Sequence, residues 1–168
     1  ISFHRPGAFQ AYFGLDTNNS FKIGGASLGA NAYRLYHEAN VVGAASQSGG
    51  VITGAIVERG SNANGDYVRF ADGTQICWRR HVRAPGNMAS QAFAAAGAYT
   101  FPIAFAGGTA PVVTNNYDGA WAPYIYTSVT GVTAVGINNV YFTNLSTAAR
   151  DTTDGSPTFH YIAIGRWY

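Results

Sequence analysis

The sequence predicts an all-β protein, and three observations lead to this fold class. Short runs of β-branched and aromatic residues recur at spacings of about ten residues in the second half of the chain. Turn signals such as Gly107-Gly108 and Thr130-Gly131 separate these runs. An Asp72-Gly73 pair lies between two alternating arms, which is a strong hairpin signal. The one stretch with helical character, 88–96, suits a loose loop equally well, so we predict an antiparallel sandwich.

The first 42 residues are predicted to form short strands that lack a core of their own. Two strand-like pieces, 8–15 and 20–24, flank the turn sequence Asp16-Thr17-Asn18-Asn19. Glycine is frequent and apolar bulk is scarce, so this segment cannot bury enough surface to fold alone. We therefore expect residues 1–42 to intertwine with other copies of the chain. Residues 43–60 are rich in Gly, Ser and Ala and are predicted to be a connector with a short strand at 51–57.

Residues 62–83 predict the central element, a β-hairpin. A three-residue loop at 71–73, with Gly73 left-handed, pairs Val68 with Ile76. A two-residue loop would mix polar and apolar side chains on each face, so we favour the first register. It sorts the hairpin into an apolar face, which we predict to be the core face, and a basic face. The predicted core face holds Val68, Phe70, Ile76, Trp78 and Val82, and the basic face holds Tyr67, Arg69, Gln75, Cys77, Arg79, His81 and Arg83.

Further strands follow the hairpin, and the last of them predicts a subunit contact. We expect these strands at 99–105, 111–115, 122–129, 132–137, 140–145 and 158–167. In the last strand both faces carry apolar groups, so we expect both sides to be covered, the second side by another subunit. His160, Ile162 and Ile164 are therefore predicted interface residues. The row Arg79, His81 and Arg83 suits either anionic sugars or acidic groups of a neighbouring subunit; since it lies on a strand, we predict the interface.

The amino-acid composition restricts the classes of partner that we expect for this chain. Charged residues make up 11% of the 168 residues, against about 25% in ordinary soluble domains. A surface with so few charges indicates extensive contact with other copies of the chain. The net charge of +2 is too small to indicate nucleic acid, and we find no apolar run that predicts membrane insertion. The chain begins with Ile1, so we expect it to be a segment of a longer protein.

We predict no catalytic residues, no metal and no cofactor. The single cysteine, Cys77, excludes an internal disulfide framework, and the four histidines lack ligand spacing. A glycan depolymerase requires two carboxylates that flank the scissile bond. Glu38 and Glu58 precede the predicted sandwich, and its aspartates lie in predicted turns, where Asp is common. We therefore expect a protein without enzymatic activity.

Two loops are candidate glycan-binding sites. The first, 115–124, combines amide and carboxylate groups with aromatic rings that can stack on the C–H faces of sugars. The alternative is that Trp121 and Tyr124 plug the end of the sandwich or a subunit contact. The second, 146–157, is long and polar, and the alternative is a solvated tip without a ligand. The candidate residues are Asn116, Tyr117, Asp118, Trp121, Tyr124, Arg150, Asp151 and Asp154.

Three stretches together resemble the C-terminal domain of phage tail-fibre proteins with an H-type lectin-like fold. They are NANGDYVRFADGTQIC, YTFPIAF…APVV and YIAIGRWY, and the opening FHRPGAFQAYFGLDTNNSFKIGG…HEAN resembles the segment that precedes this domain. The resemblance implies a homotrimeric, six-stranded antiparallel β-sandwich at the distal end of the fibre, in the virion. It also implies recognition of host surface polysaccharide or lipopolysaccharide during adsorption. Contractile bacteriocins carry related fibres, and no binding residue can be carried over by motif.

The resemblance thus implies three segments: a β-rich shaft or neck (1–42), a connector (43–60) and a lectin-like tip domain (61–168). The expected partners are two further copies of the chain, host glycan and the upstream fibre shaft of the same chain. One alternative is a purely structural trimeric cap, and another is a depolymerase. A third, a secreted lectin, would carry glycan at the sequons of Asn18 or Asn144.

Overall fold

The computed structural model describes residues 1–82, 87–119, 122–151 and 158–168. The chain divides into two compact units, Ile1–Val41 and Val42–Tyr168. In the described residues, helical structure is confined to one turn of α-helix, α1 (Glu38–Val41), and one 3₁₀ turn (Ala26–Leu28). The predicted all-β class is therefore confirmed. None of the described helices is long and apolar enough to span a membrane.

The first unit is a four-stranded antiparallel sheet whose register separates apolar from polar side chains. Its strands are β1 (Ser2–Arg5), β2 (Phe9–Leu15), β3 (Phe21–Gly24) and β4 (Tyr33–Arg34), in that spatial order. Directly paired residues share a face. One face, which we call the first apolar face, therefore holds Phe3, Phe9, Ala11, Phe13, Leu15, Phe21, Ile23 and Tyr33, together with Arg5, which pairs with Phe9.

Most side chains of the first apolar face are exposed in the described part of the chain. Ala11 is buried, whereas Leu15 is 65% exposed, Tyr33 57% and Phe3 56%. Phe13 and Phe21 stack on each other with ring centroids 5.4 Å apart, which covers only part of each ring. The sequence expectation that this segment lacks a core of its own therefore agrees with the burial of its side chains.

The second unit is a sandwich of two antiparallel sheets. Its strands are β5 (Gln47–Ser48), β6 (Val51–Ile52), β7 (Val57–Asn62), β8 (Gly65–Phe70), β9 (Thr74–Val82), β10 (Asn87–Met88), β11 (Phe93–Thr100), β12 (Val112–Asp118), β13 (Ile125–Val132), β14 (Gly136–Asn144), β15 (Arg150–Asp151) and β16 (Thr158–Arg166). One sheet has the order β12-β16-β9-β8-β7 and the other β11-β14-β13. Two short pairs, β5 with β6 and β10 with β15, complete the unit.

The two main sheets contain eight strands, whereas the resemblance implies six. Residues 57–60, which we predicted as connector, belong to β7 and pair with β8. Residues 93–96, where we expected a helix or loop, belong to β11 and pair with β14. The alanines of this segment favour a helix on their own, but the ladder with β14 satisfies their backbone groups in a sheet and overrides that preference.

The predicted register of the hairpin is confirmed, but its predicted core face is wrong. Val68 pairs with Ile76, and the Gly73 N–H donates to the Phe70 carbonyl over 3.0 Å with φ of 95° at Gly73. The side that faces the core, however, is the one we predicted to be basic, because Gln75 and Cys77 on it are fully buried. Val68, Phe70, Ile76 and Trp78 lie on the opposite side and are only partly buried. The side chain of Val82 lies outside the described part.

Aromatic rings from other segments explain why the polar side of the hairpin, and not its apolar side, faces inward. The core holds Cys77, Met88, Tyr99, Phe101, Phe105, Tyr117, Ile125, Ile137, Val140, Phe142, Phe159, Tyr161 and Ala163. Phe142 and Phe159 bridge the two sheets with ring centroids 6.1 Å apart. Phe105 packs so closely on the five-stranded sheet that a Cβ at Gly165 would lie 2.8 Å from its ring. These rings fill the space that large hairpin side chains would otherwise occupy.

The last strand, β16, has the two faces that the sequence predicts. Phe159, Tyr161 and Ala163 are buried against the three-stranded sheet. On the outer face, which we define as the side of the five-stranded sheet that points away from the core, Ile162 is 46% and Ile164 48% exposed. Val112 on the neighbouring β12 pairs with Ile164 and is 73% exposed. We call these three residues the apolar half of the outer face.

We expect Gly73→Val to lower the free energy of unfolding by about 1–3 kcal/mol, because a β-branched residue at positive φ is strained. The added side chain would also meet the Arg166 guanidinium and lie 2.8 Å from the Tyr168 ring. Urea unfolding measures the effect. Gly107→Val is the matched control, since Gly107 lacks positive φ and a Cβ there meets nothing within 4 Å. Equal unfolding midpoints for the two variants would refute the turn geometry.

Candidate functional site

The two loops that we predicted as separate glycan sites meet at the edge of the sandwich where β13 begins and β14 ends. Tyr124 lies in the turn that leads into β13, and Arg150 begins β15. The Arg150 guanidinium carbon lies 4.5 Å from the centre of the Tyr124 ring, which is cation–π distance. The ring is 42% exposed. We call this pair the rim platform.

A buried amide beneath the loop holds the rim platform in place. Asn144, the last residue of β14, is fully buried. Its side-chain amide donates to the carbonyls of Met88, Ala89 and Ala148 over 3.2, 2.9 and 3.0 Å. Its Oδ1 accepts the backbone N–H of Ser146 over 3.0 Å. One side chain thereby joins the segment before β11 to the loop that follows β14.

Both platform residues are bonded to the segment that Asn144 anchors. Arg150 Nε donates to the Ser146 hydroxyl oxygen over 3.0 Å. The Leu145 N–H donates to the Tyr124 carbonyl over 2.9 Å. The first bond orients the guanidinium and the second holds the backbone of Tyr124 before any ligand arrives, so a ligand would have less to order on binding.

The chemistry of the rim platform suits hydroxylated or acidic ligands. A guanidinium stacked on a ring keeps its N–H donors in one plane, where they match the oxygens of carboxylates, phosphates or adjacent hydroxyls. The exposed part of the Tyr124 ring offers an apolar surface for the C–H face of a sugar. The pair thus offers both polar donors and an apolar ring surface to a ligand.

The other predicted glycan contacts are dispersed. Asn116 lies on the outer face beside His160 and Ile162, in a shallow depression of about 390 Å³. Asp118 is exposed at the end of β12. Tyr117 corrects the expectation, because its ring is 6% exposed and packs edge-on against Phe142 in the core.

Three of the predicted glycan contacts have side chains outside the described part of the structure. Trp121 and Asp154 lie outside the described residues. Asp151 is described only as a backbone position of β15, where it pairs with Asn87. The rim platform is therefore built from Tyr124 and Arg150 alone.

The predicted basic interface row also requires correction. Arg79 and His81 lie on the inward side of β9, where both contact Tyr99. The guanidinium carbon of Arg79 lies 5.8 Å from the centre of the Tyr99 ring. The ring centroid of His81 lies 4.9 Å from the same centre. Burial, with a smaller contribution from the Arg79 charge, lowers the pKa of His81. Arg83 lies outside the described residues. His160, Ile162 and Ile164, by contrast, lie on the outer face as predicted.

Two further sequence features acquire structural roles. Burial raises the pKa of the Cys77 thiol to about 11, so this thiol is protonated at neutral pH. Asn144, which the sequence marks only as a sequon, is the buried anchor, and its amide is inaccessible to a glycan in the folded chain. The sequence signal for the anchor was its Asn-x-Ser spacing, because an Asn side chain often accepts the N–H two residues ahead.

We expect Asn144→Ala to lower the free energy of unfolding by about 2–4 kcal/mol, because the carbonyls of Met88, Ala89 and Ala148 would lose their donor. Thermal and urea unfolding measure the change. Asn139→Ala on the same strand is the control, because within the described residues the Asn139 side chain makes no hydrogen bond. If both variants were equally stable, Asn144 would not be an anchor.

A scan of protein-family models finds no match to the chain, and no curated protein sequence matches it. Two solved structures are similar. The N-truncated R1-type pyocin tail fibre has 17% sequence identity and a TM-score of 0.47 over 65% of this chain and 84% of that chain. The C-terminal part of the P. aeruginosa R2 pyocin fibre has 20% identity and a TM-score of 0.41 over 66% of this chain and 26% of that chain. Both TM-scores lie below 0.5.

Proposed function

We propose that this chain is the receptor-binding tip of a phage-like tail fibre, which attaches the particle to a host cell by binding surface glycan or lipopolysaccharide. The observation that carries the proposal is the rim platform, a partly exposed ring and a guanidinium fixed by a buried hydrogen-bond network. Binding sites on loops that a rigid scaffold holds are common in recognition proteins. The resemblance of the hairpin and final strand to tail-fibre tip domains supports the same role.

We propose further that the functional form is a homotrimer. Two surfaces support this assembly: the first apolar face and the apolar half of the outer face, which expose Leu15 at 65% and Val112 at 73%. Apolar patches of this kind on a chain with 11% charged residues favour association between copies. A trimer presents three rim platforms together, so that weak contacts add to strong attachment.

We propose that the tip binds glycan without cleaving it. Glu58, one of the two glutamates, is committed to the fold: it accepts the Tyr67 hydroxyl and the Ala45 N–H, both over 3.0 Å. A purely structural cap of the fibre is the second candidate, and the extensive apolar faces favour it. Binding of host envelopes separates the two, because a cap would trimerise but would not adsorb.

We expect Tyr124→Ala and Arg150→Lys each to weaken adsorption to host cells about tenfold or more, since each removes one half of the platform. The measurement is the fraction of purified fluorescent protein that sediments with cells. Tyr126→Ala is the matched control, because Tyr126 is 56% exposed on β13, two residues after Tyr124. Wild-type adsorption by both platform variants would contradict the assignment of the site.

We expect the double variant Ile162→Glu with Ile164→Glu to dissociate the assembly while the sandwich stays folded. Both side chains are about half exposed in one chain, so the charges disrupt only a contact with another copy. Sedimentation velocity measures the mass, and circular dichroism the fold. Ser128→Glu with Thr130→Glu, at two exposed positions of β13, is the control. An unchanged mass for the isoleucine variant would exclude this face from the interface.

A further inference from the structure

We infer that the outer face carries a second saccharide-binding cleft, formed by Arg59, Ser61, Asp66 and Trp78, that binds a single sugar ring of the glycan. The cleft is distinct from the rim platform and lies on strands rather than loops. The assignment of host glycan as its biological ligand rests on the proposed function. Sugar binding by the cleft itself can be tested without host cells.

Strand pairing places these side chains side by side. Ser61 on β7 pairs with Asp66 on β8, and Asp66 pairs with Trp78 on β9, so the three form a row across the sheet. Arg59 shares this face and is diagonal to Asp66, because it lies two residues before Ser61 on β7. Together with Gly60 and Tyr67 they line a depression of about 240 Å³. This volume is below the ~300–1,000 Å³ of drug-sized sites and suits one ring.

The polar groups of the cleft are unused by the fold. Within the described residues, the side chains of Arg59, Ser61, Asp66 and Trp78 make no hydrogen bond or ion pair. The inward side of the same strands behaves differently. There Glu58 is bonded to Tyr67 over 3.0 Å, and the Asn62 amide donates to the Pro102 carbonyl over 2.7 Å. A cation, a carboxylate, a hydroxyl and an indole N–H thus remain available to a ligand.

The chemistry of these four groups indicates a neutral sugar. The partly buried Trp78 indole offers an apolar face for ring C–H groups. Arg59 donates hydrogen bonds and Asp66 accepts them, which matches hydroxyls that do both. Arg59 and Asp66 together give the cleft no net charge, so it has no excess positive charge that would favour an anionic ligand over a neutral ring.

The cleft borders the surface that we assign to subunit contact, because Trp78 pairs with Ile162. Strand β7 is one edge of the five-stranded sheet, and β12 is the other. The apolar half of the outer face belongs to β12 and β16, whereas the cleft belongs to β7, β8 and β9. A neighbouring copy on the apolar half would therefore leave the cleft at the margin of the contact.

Saturation-transfer NMR and calorimetry on the intact chain test the inference with D-glucose, D-galactose, D-mannose, L-rhamnose and N-acetyl-D-glucosamine as probes. We expect at least one sugar to bind saturably and to alter the fluorescence of Trp78. Asp66→Asn and Arg59→Gln should each raise its Kd about tenfold or more, because each removes a charge-assisted hydrogen bond. Arg5→Gln, at an exposed arginine of β1, is the control and should leave the Kd unchanged. Trp78→Phe should abolish the fluorescence change.

Three results would overturn the inference. The first is that none of the five sugars binds saturably, and the second is that the wild type and both cleft variants bind with equal affinity. The third is dissociation of the oligomer by Asp66→Asn, which would make the cleft a contact between copies. Cell adsorption separates this failure from that of the proposed function. If Tyr124→Ala abolishes adsorption while the wild type binds none of the five sugars and the cleft variants adsorb normally, the tip function stands and the cleft fails. If the cleft binds sugar but the wild type never adsorbs to cells, the cleft stands and the proposed function fails.

Discussion

The sandwich depends on aromatic contacts between its two sheets. Phe159 on β16, an inner strand of the five-stranded sheet, packs against Phe142 on β14 and Tyr99 on β11, with ring centroids 6.1 and 5.6 Å apart. Because these rings and those of Phe101 and Phe105 occupy the interior, the hairpin can place only small or polar side chains there. Its large apolar side chains are left on the outside. The distribution of apolar groups over the surface thus follows from the way the core is filled.

Because the aromatic core decides which face of the hairpin points inward, the sequence predicts only part of the fold. Alternation and turn chemistry predict the register of the hairpin, because a slip by one residue would mix the side chains of both faces. They do not predict which of the two sorted faces points inward, because that choice depends on distant residues such as Phe105 and Gly165. The same limit applies to the site. Loop composition indicated Tyr124 and Arg150, but their contact and the anchor Asn144 depend on tertiary structure. Trp78 was assigned to the core, so the cleft beside it was missed.

The outward apolar residues and the scarcity of charge have one physical consequence. A chain in which 11% of the residues are charged and in which both units expose large apolar side chains gains free energy when copies cover each other. In the first unit the apolar side chains lie on one face of a sheet, and in the second they lie on the outer half of another. Association through these faces would cover apolar side chains that a single chain leaves exposed.

The central claim is that the outer faces are made for other copies of the chain. The most direct measurement is the molar mass of the wild-type protein by light scattering over a dilution series. The account predicts a mass three times that of one chain, and this mass should persist on dilution because the buried faces are apolar. A particle with the mass of a single chain at all concentrations would contradict it.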